Sequence, residues 1–419
     1  MTEEMTAATA TVGADDELAE IRAELRAVSR DLLGKVNPGT AVGWRQLADA
    51  DWLGLEVPAA LNGAGVTFAE VAVILQELGR AAAAGPYLGA IALGVGTLRE
   101  LAPSPGRDQL LKQAASGQTL TVPVLTDGAD APWYGSGGSS ASSGVPFRLE
   151  RTSDGLRLHG HASFAPDAAE AGPLLLLATA LPGSAPPPDS GASQDTGARQ
   201  GDGAPADGAT PVIVDVDPSA NGLAVSAQPV LDATRRLALV TADGVQVDEA
   251  SVHRFDADPT AAIGRLLDRA AVAIACDSLG LSEAMLDATV AYAGVRQQFG
   301  RPIGSFQAVK HACADMLVQI SVARGLVDAA TQAVAAGTPD ASVAASMAKS
   351  YACAAAVEVA GKAMQLHGGI GYTWESGIHV YLKRAALNRS LFGSPTAHRK
   401  RLAARYNQTD GWRSSTIPA

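Results

Sequence analysis

Apolar residues at helical spacing fill both ends of this chain, and short alternating runs fill its middle. Leu18, Ile21, Leu25, Val28 and Leu32 share one face at a period of about 3.6 residues, which predicts an amphipathic helix over 16–33. Trp44–Leu53 and Phe68–Leu78 repeat the pattern on either side of a Gly- and Asn-rich loop, Leu61–Gly65. Ala81–Leu98 is uncharged, but it is rich in Ala and Gly and interrupted by Gly85-Pro86. It predicts a buried helical hairpin and not a membrane span. Residues 1–118 read as an all-helical N-terminal domain.

The texture then changes. Leu120–Leu125, Leu156–His159, Leu174–Ala178, Val212–Val216 and Leu237–Val240 are short apolar or alternating runs bounded by turn residues, as expected of strands. They predict a small middle β domain over 119–253. Two low-complexity stretches interrupt it: Gly135–Gly144, and a disordered insert at 183–210 rich in Pro, Gly, Ala, Ser and Asp. The first lacks a following Lys-Ser/Thr and a helix start, so it is no phosphate loop.

Helix resumes at Asp258, a good N-cap ahead of Pro259. A second long helix carries one apolar stripe through Phe306, Val309, Cys313, Met316, Ile320, Ala323 and Val327. A third covers 341–366 and stops at Gly368-Gly369, and a shorter one covers 379–392. Residues 254–419 thus predict a C-terminal, four-helix-bundle-like domain. The fold class is α+β multidomain: helical domain, small β domain, helical bundle.

With 47% hydrophobic residues but only 5% aromatics, the core must be built mainly from Ala, Leu and Val. A net charge of −11 with no basic run argues against nucleic-acid binding. Cys276, Cys313 and Cys353 are odd in number and form no CxxC, so buried free thiols in a reducing compartment are expected. The N-terminus has neither a basic start nor an apolar core, which reads as a cytoplasmic protein without a signal peptide. The seven histidines lack metal-ligand spacing.

Chemistry concentrates in two strings. Tyr292–His311 reads YAGVRQQFGRPIGSFQAVKH, and Gln365–Thr373 reads QLHGGIGYT. In the first, the Arg296 guanidinium can clamp a pyrophosphate, Phe299 can lie against a planar ring, and Gln307 can hydrogen-bond an adenosine. In the second, Gly368-Gly369 lets backbone amides approach a phosphate or ribitol. A purely structural account would make Phe299 core and the glycines an ordinary helix cap.

Together the strings closely resemble the two flavin-contacting signatures of acyl-CoA dehydrogenases. The resemblance is dense from about Leu266 to Arg401 and only textural before that, apart from Glu77-Leu78-Gly79-Arg80. It implies FAD as cofactor, contacted by Arg296, Phe299, Gln307, Gln365, Gly368 and Gly369, usually across a subunit interface. It also implies an acyl-CoA substrate, an electron-transfer flavoprotein or similar acceptor, and a homo- or hetero-oligomer of related chains.

The middle domain departs from the family pattern. The loop that covers the flavin reads Leu125–Asp130, and the next motif reads Gly160–Pro166, where Phe164 could stack on the ring and Pro166 offers no hydrogen-bond donor. The reaction needs a carboxylate to take the α-proton. One family position for it aligns with Gly393, within Leu391-Phe392-Gly393-Ser394-Pro395, and the other with Ala270. Asp268, Asp277 and Glu375 are spare carboxylates, with solvated or capping roles expected. The favoured reading is a base-deficient subunit that serves a neighbour's flavin. The alternatives are a flavin-dependent monooxygenase or oxidase on the same fold, and a non-catalytic assembly subunit.

Overall fold

The computed structural model describes residues 2–35, 37–126, 144–184 and 209–408, with side chains between residues 18 and 406. Helix α1 (Thr2–Leu33) is held to α3 (Phe68–Arg80) by ion pairs from Arg22 to Glu70 at 3.5 Å and Arg30 to Glu77 at 2.9 Å. Between them lies α2 (Trp44–Asp49). Thr67 caps α3, and the Glu70 carboxylate accepts the Thr67 N–H at 2.9 Å, a reciprocal cap.

The expected hairpin over 81–98 is instead a turn followed by one helical run. Gly85 and Pro86 break the chain before the run and not midway through it. A fully buried π-helix, Leu88–Val95, then continues into α4 (Gly96–Arg99), and α5 (Pro105–Ala115) follows.

Eight strands make one sheet: β1 (Val122–Val124), β2 (Phe147–Thr152), β3 (Gly155–Pro166), β4 (Leu174–Ala180), β5 (Thr210–Val216), β6 (Leu223–Gln228), β7 (Leu237–Val247) and β8 (Val252–His253). Their order is β6-β7-β3-β2-β4-β5-β8, and β1 pairs in parallel with β4 beyond the end of β2. All five expected strands are present. The pattern missed β2, β6 and β8: β2 and β6 carry charged or small residues on an open face, and β8 spans two residues. The stretches 127–143 and 185–208, which include nearly all of both low-complexity segments and the Asp127–Asp130 part of the flavin-covering loop, lie outside the described residues.

Helix α6 (Pro259–Val295) starts as expected, with the Asp258 carboxylate accepting the Ala261 N–H at 2.8 Å. A small hairpin, β9 (Gln297–Gln298) and β10 (Arg301–Pro302), leads to α7 (Gln307–Ala336), α8 (Ala341–His367), α9 (Ile378–Ser390) and α10 (Pro395–Gln408). The α7 stripe buries Met316, Ile320, Ala323 and Val327. The last expected helix ends two residues early, because Phe392 and Gly393 turn into positive φ. Cys276 and Cys353 are buried thiols, but Cys313 is only half-buried. Helices α3 and α6 cross at Gly79 and Gly280, where a Cβ on either residue would strike the other helix's backbone.

Candidate flavin-contacting site

The two signature strings meet at one end of the bundle. Tyr292, one turn before the end of α6, stacks on His367 at the end of α8, with ring centroids 4.5 Å apart. His367 is further fixed through Nδ1 to the Ala363 carbonyl oxygen at 2.8 Å. The stack sets the Arg296 turn beside the Gly368 turn.

Arg296 caps the C-terminus of α6, and its carbonyl accepts the Ile303 N–H at 2.8 Å, closing the β9–β10 turn. At the tip of that turn Phe299 takes φ +53 and stands 91% exposed. A large aromatic held in left-handed backbone and turned outward is a ring without a cover. Its own support is Phe306, edge-on at 6.1 Å. Gln307, at the start of α7, and Gln365, Gly368 and Gly369, at the end of α8, are all exposed. A Cβ at Gly368 or Gly369 would meet nothing within 4 Å, so the backbone there faces open space. Val295, Ile370, Tyr372 and Trp374 add exposed apolar surface nearby. These residues fit a planar ring with a phosphate tail: an outward ring, a guanidinium with no ion-pair partner among the described residues, two amide side chains and a glycine pair.

Phe164 lies elsewhere, on β3, where a bulge between Ala162 and Ala165 breaks the register with β7. It takes φ +58, is 37% exposed, and donates its N–H to Gln228 Oε1 at 2.6 Å. No hydrogen bond or ring contact among the described residues ties it to the Arg296 end.

The two positions at which the resemblance expects a base hold no acid. Ala270 is fully buried inside α6. The turn after α9, Leu391–Pro395, contains no carboxylate, whichever of its residues stands in the base's place. A fully buried lysine fixes this turn: Lys349 Nζ donates to the carbonyls of Asn388 at 3.0 Å and Gly393 at 2.8 Å.

Two of the spare carboxylates correct the expectation of solvated or capping roles. Asp268 is buried against Arg401 at 2.6 Å. Asp277 is buried between Arg384 at 2.5 Å and Arg235 at 2.9 Å. Burial alone would raise the Asp277 carboxyl, but the two guanidiniums hold it down at about 2. The pairing makes Asp277 a weak base, whereas burial raises the Asp268 carboxyl against the opposing pull of Arg401. Glu375 is exposed.

Asp167 was not foreseen. It follows Pro166, takes φ +61, is 4% exposed, and accepts the Gly89 N–H at 2.9 Å. Burial pushes its carboxyl up to about 6, against the opposing pull of Gly89, Arg235, Arg236 and Arg384. Lys349 was also missed, although it is the one charge between Ala341 and Val357, a legible signal.

Helical N- and C-terminal regions with an antiparallel-rich sheet between them in sequence, and an Arg-Phe turn and a Gly-Gly turn joined at one end, are the arrangement that the resemblance to flavin-dependent dehydrogenases implies. Comparison with known proteins agrees. Residues 2–118 match the acyl-CoA dehydrogenase N-terminal domain and residues 260–407 the C-terminal domain. Acyl-CoA dehydrogenase IpdE2 of Mycolicibacterium smegmatis is 30% identical over 363 residues, 86% of each chain. The solved Tcur3481-Tcur3483 steroid ACAD (G363A variant) shares 26% identity at a TM-score of 0.72, over 96% of this chain and 99% of that one. The ChsE4-ChsE5 complex from Mycobacterium tuberculosis shares the fold, with a TM-score of 0.73 at 24% identity over 93% and 98%. The chain belongs to the acyl-CoA dehydrogenase family, whose members oxidise CH–CH bonds with FAD. Among the described residues, no helix is long and apolar enough to cross a membrane.

Proposed function

We propose that this chain is a base-deficient subunit of a hetero-oligomeric, FAD-dependent acyl-CoA dehydrogenase of the cytoplasm. Its units would be residues 1–118, 119–253 and 254–419. The observation that carries the reading is an asymmetry. Arg296, Phe299, Gln307, Gln365, Gly368 and Gly369 face outward at one end of the bundle, with open space before the glycines. The chain's own base positions, meanwhile, are a buried Ala270 and a carboxylate-free turn at Gly393. Groups that would hold a flavin are therefore presented to a neighbour, and groups that would take a proton from substrate are missing.

In this reading the partner supplies the carboxylate. FAD held there would supply the acceptor for the β-hydride of the acyl-CoA, with an electron-transfer flavoprotein or similar protein as the onward acceptor. Two solved relatives, Tcur3481-Tcur3483 and the ChsE4-ChsE5 complex, are each named for two chains, which supports a heteromeric arrangement. Flavin content is the test, measured for the chain expressed alone and then with a base-bearing family member. Flavin only on co-expression, at one FAD per two chains, supports the proposal. One FAD per chain in the isolated protein would overturn it.

A further inference from the structure

A cavity of about 350 Å³ opens between the N-terminal helices and the bundle, away from the flavin-contacting end. Its wall is ionic. The fully buried carboxylate of Glu56 receives two guanidiniums: Arg269 binds both its oxygens, and Arg99 Nη1 reaches Oε1 at 2.6 Å. Arg265 grips Glu100 through Nε and Nη2, the latter at 2.6 Å. Asp268 is neutralised by Arg401 from α10. The four guanidiniums of this cluster exceed its three carboxylates by one, and the surplus sits at Glu56.

Arg269 is already spent. Its Nε donates to the Ala92 carbonyl, its face covers the Phe68 ring at 4.3 Å, and Gly96 leaves the space it occupies. Arg99 is different. Its side chain is 43% exposed, it lines the cavity, and among the described residues its one partner is Glu56 through a single nitrogen. Its remaining donors are therefore available to a ligand. Two helices, α3 and α8, also begin at the wall, at Phe68 and Ala341, and α8 has no side-chain cap. Both present the positive end of the helix dipole.

We propose that this cavity is an anion subsite, built to take a carboxylate or phosphate-ester oxygen group on Arg99. The inference stands apart from the flavin reading, because it uses none of those residues. A guanidinium paired on one nitrogen and partly exposed exchanges water for an anionic oxygen with little rearrangement.

Titration calorimetry on the full chain with inorganic phosphate, glutarate and coenzyme A tests it without any flavin readout. We expect saturable, salt-sensitive binding of at least one of the three. Glutarate binding identifies a carboxylate as the natural group, and binding of coenzyme A without glutarate identifies a phosphate ester. Arg99→Gln should weaken binding by about tenfold or more. Glu100→Gln should tighten it, because it frees Arg265. This opposite-signed change keeps the test decisive even if Arg99→Gln disturbs folding. Absence of saturable binding by all three anions, unchanged affinity in a folded Arg99→Gln protein, or no tightening in Glu100→Gln would each overturn the proposal.

Discussion

Arg384 on α9 grips Asp277 on α6 with two hydrogen bonds, Nε to Oδ1 at 3.0 Å and Nη2 to Oδ2 at 2.5 Å. The third nitrogen, Nη1, reaches the Ala83 carbonyl at 2.7 Å and Thr234 Oγ1 at 2.9 Å. One side chain thus joins the N-terminal helices, the sheet and the bundle. Both partners are 1% exposed, and Asn388 Nδ2 adds a further bond to Asp277 at 2.6 Å.

Removing Arg384 leaves Asp277 buried with only Arg235 beside it, so Arg384→Met should cost about 3 kcal/mol, the low end of the range for breaking a buried pair. Denaturant unfolding at neutral pH measures this, and a loss below about 1 kcal/mol would refute the keystone role. The pair also sets an acid limit. The folded Asp277 carboxyl sits at about 2, below its unfolded value near 3.9. Its contribution is therefore complete above about pH 4 and disappears as pH falls toward 2.

Asp167 predicts the opposite sign. Its folded carboxyl is raised to about 6, above the unfolded value. Stability from this site is full below about pH 4 and declines as pH rises through 6. Asn in its place keeps an acceptor for the Gly89 N–H and removes the charge. Asp167→Asn should stabilise the protein by about 3 kcal/mol at pH 8 and leave it nearly unchanged at pH 4. Equal effects at the two pH values would show that the buried carboxylate is not strained.

How much of this was legible in the sequence depends on whether the signal was local. The α7 stripe and the Asp258-Pro259 start of α6 could be read directly, because period and cap are properties of neighbouring residues. The strands β2 and β6 could not, since one face of each is open and breaks the apolar run. The signature residues of the C-terminal domain were legible as a string, but their shared end depends on the Tyr292–His367 stack, a contact between helices 75 positions apart in sequence (367 minus 292). Asp277 and Asp268 were misjudged for the same reason: their partners Arg384 and Arg401 lie far along the chain.

Arg296 separates a flavin contact from a structural residue. It is exposed and has no ion pair among the described residues, so Arg296→Ala should change folding stability by no more than about 0.5 kcal/mol. A charge-assisted contact to a phosphate is worth about 1.5–3 kcal/mol, so the assembled protein should hold FAD at least about tenfold more weakly. Flavin retained on desalting measures the second effect and thermal unfolding the first. Unchanged flavin content would remove Arg296 from the site.

Gly393 tests whether one substitution can supply a base at this turn. The residue sits at φ +93, directly after Phe392 at φ +55. Its carbonyl is held by Lys349 Nζ, and His398 Nε2 lies 3.0 Å from the Phe392 carbonyl oxygen. The turn is thus pinned in a backbone region that glycine occupies freely and glutamate does not. Gly393→Glu should lower stability by about 1–3 kcal/mol, give the isolated chain no acyl-CoA oxidation, and add none to that of the assembly. Turnover with stability intact would mean the turn re-aims easily, and that the identity of one residue is all that separates this chain from a self-sufficient dehydrogenase.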